Sequence, residues 1–87
     1  VMVAAHLRIA PLDPTRALPP RALRDLIHAH ATPADRLEHI RIRAGPQGFD
    51  VMAFIDGDDP VSAAEILSRV VSLAISREPL LSLWRIL

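Results

Sequence analysis

The chain contains no cysteine. That removes disulfide frameworks, thiol nucleophiles and thiolate metal sites together. Lysine is absent too, so all ten cationic side chains are arginine, and ten acids balance them to a formal net charge of zero. A neutral chain lacks the uniform positive field that drives most nucleic-acid binding. Aromatics are scarce, at 3% (Phe49, Phe54 and Trp84), so aliphatic side chains must build the core. No apolar run approaches the ~20 residues that a membrane-spanning helix needs. The longest helical stretch, residues 61–75, is broken by Ser62, Glu65, Ser68, Arg69 and Ser72. The N-terminus lacks the charged, apolar and small-residue zones of a secretory signal. No membrane insertion is therefore expected within this segment, and a soluble, cytoplasmic life is the default. Arginine-only cations, with abundant Ala and Pro and no Asn, are the usage of a high-GC genome, which speaks to origin rather than mechanism.

Hydrophobic residues make up 51% of the 87, enough for one small core, and residues 1–87 read as a single domain. A chain of this size buries only about two thirds of its unfolded surface, and self-association would add to that cover. It begins at Val1 and stops mid-pattern at Leu87, which suggests part of something longer.

Apolar periodicity sets the elements. Val3, Ala5, Leu7 and Ile9 alternate with Ala4, His6 and Arg8, the two-residue period of a half-buried strand. Pro19 and Pro20 suit a helix's first turn, and Ala22, Leu23, Leu26, Ile27 and His30 follow at helical spacing until Pro33. From Leu37 to Ala44 the period returns to two, with Ile40 and Ile42 facing one way and His39, Arg41 and Arg43 the other. Gly45-Pro46-Gln47-Gly48 reads as a hairpin loop of about four residues before a third, highly apolar strand from Phe49 to Ile55. Asp59 as N-cap with Pro60 at the first helical position starts a second helix. Ser62, Glu65, Arg69, Ser72 and Ser76 form its wet stripe. Pro79 ends that region, leaving Leu80 to Leu87 as a last strand.

The order β-α-β-β-α-β is the split βαβ signature of a ferredoxin-like, two-layer α+β sandwich: a four-stranded antiparallel sheet with two helices on one face. Right-handed crossovers place the first and third strands centrally. With Val51, Ala53 and Ile55 turned inward, Asp50, Met52 and Phe54 face outward, and antiparallel pairing brings Asp50 near both Arg8 and Arg43. Grease on both sides of a central strand implies that both sides are covered. In a two-layer domain the second cover comes from outside. A non-catalytic binding or regulatory module is expected, acting through that open face by self-association first and otherwise with another protein partner, with Met52 and Phe54 as anchors, Arg41 and Arg43 as orienting charges, and Trp84 either extending the surface or joining the core.

Other chemistries leave weaker traces. His28 and His30 are two apart on a helix and diverge, and His6 and His39 are separated by the third strand, so no metal and no cofactor is expected. Asp56, Asp58 and Asp59 lack the later Glu of a calcium loop and suit helix capping instead. His6, His39 and Arg8 are the candidate acid–base or anion-binding groups should the domain be a cofactor-free enzyme of the monooxygenase or cyclase kind. Gln47-Gly48-Phe49-Asp50-Val51-Met52-Ala53-Phe54 resembles the third-strand motif of RRM domains through Gly48, Phe49 and Phe54, a resemblance that implies RNA stacked on the sheet. The first strand carries no aromatic platform, and nucleic acid is not the expected partner. The stretch Arg77-Glu78-Pro79-Leu80-Leu81-Ser82-Leu83-Trp84 is similar to the helix-to-last-strand passage of ACT-type regulatory domains, including the ACT-like domain of the MgtC membrane-protein family. That resemblance implies a regulatory domain of a larger protein.

Overall fold

A computed structural model describes the whole chain, Val1–Leu87. Strand β1 spans Met2–Pro11, helix α1 Pro20–His28, strands β2 and β3 Leu37–Gly45 and Gly48–Asp56, helix α2 Pro60–Arg77, and strand β4 Trp84–Ile86. Three single 3-10 turns fill the connections, at Pro14–Arg16, Pro33–Asp35 and Pro79–Leu81. Each opens on a proline, which has no N–H to leave unpaired at the start of a turn.

The four strands form one open antiparallel sheet in the order β2-β3-β1-β4. The first and third strands thus take the centre. Ala5, Ile9, Ile40, Val51, Ala53 and Ile55 turn to the same side and merge with Leu23 and Ile27 of α1 and Leu67, Val70 and Val71 of α2 in a single core. The wet stripe of α2 is exposed throughout, as the helical spacing predicts. Asp59 starts that helix by accepting from the Val61 N–H at 3.0 Å and the Ser62 hydroxyl at 2.9 Å. Those two donors, the hydroxyl first, hold its carboxyl below the usual range.

Three local expectations change. The β2–β3 hairpin is tighter than a four-residue loop: Gly45 pairs with Gly48, leaving only Pro46 and Gln47 between the strands. Gly48 makes this turn workable, because its φ of +132° suits glycine, and a Cβ there would sit 2.7 Å from the Ile9 carbonyl oxygen. The last strand is three residues rather than eight. Pro79 opens a 3-10 turn that drives Leu81 into the core, and Leu83 at φ +65° re-aims the chain before β4 begins. A register shift between Leu37 and His39 interrupts the start of β2, but it falls ahead of His39 and leaves the facing of residues 39–43 as the alternation predicts.

Candidate functional site

Helices cover one side of the sheet, so the outward side chains of β1, β2 and β3 share a face that nothing in the chain packs against. Cross-strand pairing sorts them into rows. Arg43, Asp50 and Arg8 form the first, Arg41, Met52 and His6 the second, and His39, Phe54 and Ala4 the third. The expected position of Asp50, between two arginines, is the observed one. Arg8 donates Nε–H to Asp50 Oδ1 at 3.0 Å. Both side chains are more than a third exposed, so this pair is worth well under about 1 kcal/mol. Arg41 and Arg43 make no ion pair within the protein.

Met52 and Phe54 point away from the helices but are only half-exposed. The His39 ring lies 6.4 Å from that of Phe54, tilted by 30°, and covers part of it. The apolar ridge is therefore narrower than its sequence suggests, and its border is cationic. Trp84 does not join it. The indole is 4% exposed, packs 5.4 Å from the Phe49 ring on the helix side, and contributes to the core. Pairing of Trp84 with Pro11 and of Ile86 with Ile9 fixes that facing, because Ile9 is itself buried. The indole N–H finds no acceptor in the protein.

Around the free edge of β2 the open face continues into a shallow cleft of about 710 Å³. His6, His39, Arg41, Arg43 and Met52 enter it from the sheet, and Arg21 and Arg24 from α1. His6 and His39 thus line one depression, although they lie in different rows on opposite sides of β3. Neither is held by a hydrogen bond from a neighbouring side chain, whereas a general base is normally oriented by a third group.

His28 is exposed, and His30 Nε2 meets Glu78 Oε1 at 2.7 Å, tying the turn after α1 to the C-terminal end of α2. No three His, Asp or Glu side chains converge. The most heavily bonded carboxylate escaped the sequence reading altogether. Asp35, 7% exposed, accepts from the Thr32 N–H at 2.8 Å, from the Thr32 hydroxyl at 3.2 Å, and from Arg69 of α2. The Thr32 N–H is the chief cause of its lowered pKa; burial opposes the shift and Arg69 reinforces it. Its signal was the Thr32-Pro33-Ala34-Asp35 spacing of a capping box.

Compared with known proteins, the chain matches no family model, no curated protein and no solved structure at a significant level.

Proposed function

We propose that this is a non-catalytic binding module of ferredoxin-like topology that engages an acidic protein surface through its open sheet face. The observation that carries the reading is the helix-free face itself: Met52 and Phe54 side by side, framed by Arg8, Arg41 and Arg43, with Asp50 the only acid among these rows. Apolar side chains in the middle of a polar rim are the usual anatomy of an interaction surface. The charges set the occupant. Three arginines against one aspartate leave an excess of positive charge, and a second copy would bring two such faces together at low dielectric. Self-association through the face is therefore the less favoured reading. An acidic partner is met by complementary charge, and its carboxylates have arginine forks to receive them.

The remaining readings have less support. RNA stacking would rest on Phe54 alone, because Phe49 is buried against Trp84. Acid–base chemistry by His6 and His39 would take place in a shallow, open cleft without an orienting partner for either ring, and Arg8 lies outside its lining, held by Asp50. A regulatory role inside a larger chain is compatible with the same surface and shares its test.

That test is an NMR titration of the labelled domain with an acidic peptide of alternating Glu and Leu. Shift changes are expected to concentrate at His6, Arg8, Arg41, Arg43, Met52 and Phe54, to weaken with salt, and to vanish in Phe54→Asp. Changes spread over α2 instead, or none at all, would refute the reading. Light scattering supplies the other arm: a dimer of the wild type that Phe54→Asp dissolves would assign the face to a second copy.

A further inference from the structure

We infer that the cleft between α1 and β2 is a site for a small ligand bearing a phosphoryl group. Four arginines line it, Arg21 and Arg24 from α1 and Arg41 and Arg43 from β2. The one acid in its lining, Asp50, is already engaged by Arg8. Arg21, Arg41 and Arg43 have no carboxylate partner anywhere in the protein, and Arg24 has only its chain neighbour Asp25. In a chain of zero net charge, the lining of this cleft therefore holds a local surplus of positive charge.

Arg21 makes the point sharper. It stands in the first turn of α1, where the helix dipole favours an acid and disfavours a cation. That turn contains no acid, and Pro19 offers no side-chain cap. The sequence has therefore placed positive charge where local helix stability is reduced by it, a conflict of the kind that function imposes. The helix end only adds to the site; the arginines carry it. Guanidinium groups match phosphoryl oxygens in planar, two-pronged geometry. The volume, about 710 Å³, lies within the ~300–1,000 Å³ usual for small-molecule pockets. The cleft shares Arg41 and Arg43 with the open face, and Arg21 and Arg24, which stand on α1, distinguish it from that face.

Calorimetric titration with inorganic pyrophosphate and with ATP tests it, using the whole chain, Arg21→Gln and Arg77→Gln. The second variant removes the same charge from the last turn of α2, which is not part of the cleft. Binding of both ligands is expected at low salt. Arg21→Gln should weaken it by about tenfold or more, the effect of one lost charge-assisted hydrogen bond. Arg77→Gln should change it by less than about twofold, as expected for a screened, distant charge. Arg21→Gln is also expected to melt at a higher temperature than wild type, so that lost binding is not lost folding. Phe54→Ala, which removes the ring and changes no charge, should retain ATP binding, which separates this site from the apolar ridge of the open face. Absence of pyrophosphate and ATP binding would overturn the proposal, as would equal weakening by both arginine variants. A single-stranded oligonucleotide bound more tightly than ATP, in a manner that Phe54→Asp abolishes, would also overturn it in favour of a nucleic-acid surface.

Discussion

Replacing Asp50 by Asn separates the two occupants of the open face by sign. Asp50 sits between Arg8 and Arg43 in one cross-strand row, and it neutralises one of three arginines on that surface. Losing its charge removes an ion pair whose two side chains are 49% and 37% exposed, so the folded state should lose less than about 1 kcal/mol. The same change adds one positive unit to the face. A partner carboxylate at about 5 Å then gains about 0.8 kcal/mol in bulk-water dielectric, and more where water is excluded. An acidic peptide should therefore bind about fourfold more tightly to Asp50→Asn than to wild type. The gain should disappear near 1 M salt, where the screening length falls to about 3 Å. A second copy responds in the opposite direction, because both faces gain like charge and any dimer should weaken. Titration of both proteins with the Glu/Leu peptide at low and high salt, with urea unfolding to check stability, decides the matter. Weaker peptide binding by Asp50→Asn, with stability intact, would refute the charge argument.

Further outcomes follow from the scaffold. Gly48→Ala should destabilise the fold by about 3 kcal/mol in urea unfolding, since the new Cβ would meet the Ile9 carbonyl at 2.7 Å in a backbone conformation with φ +132°. Asp35→Asn should lose about 2 kcal/mol at neutral pH by weakening the bonds from Thr32 and Arg69. Because the folded pKa of Asp35 is lowered, its contribution is complete above the unfolded value near 3.9 and is lost as pH falls through the lower folded value. The gap between wild type and Asp35→Asn should accordingly close only below about pH 4, which urea midpoints across an acid series will show.

How legible the sequence was depended on whether one residue type or a meeting of distant ones fixed the outcome. Alternation in residues 3–9 and 37–44 was readable because a period of two allows only one choice of buried face, and Ile40 and Ala5 are buried accordingly. Asp59-Pro60 was readable because capping is local. The end of the chain was not. Eight residues that pass for a strand instead give their first two to a 3-10 turn begun by Pro79, since burying Leu81 under α2 outweighs continuing the ladder from a proline that has no N–H. Asp35 looked like an ordinary loop acid because its partner Arg69 is 34 residues away. The cleft was hidden for the same reason: Arg21 and Arg43 are unremarkable singly, and only the packing of α1 beside β2 puts them in one depression.

The two phenylalanines show how far parity alone carries a functional argument. Phe49 and Phe54 lie in one continuous strand at an odd separation, so a pleated backbone must send them to opposite sides. Whichever face takes Phe49 loses Phe54. The core takes Phe49, which lies near the start of β3 opposite Ile9 and packs against the Trp84 ring. Phe54 is then committed to the helix-free side, and no repacking of the helices can reclaim it without a one-residue slip of the whole strand. Such a slip would also bury Asp50 and expose Val51, Ala53 and Ile55, which are fully or nearly fully buried. An aromatic that the core requirement itself forces onto the open face needs no selection to appear there. What core packing does not explain is the border of arginines and histidines around it, and it is that border, more than the ring, that argues for a partner.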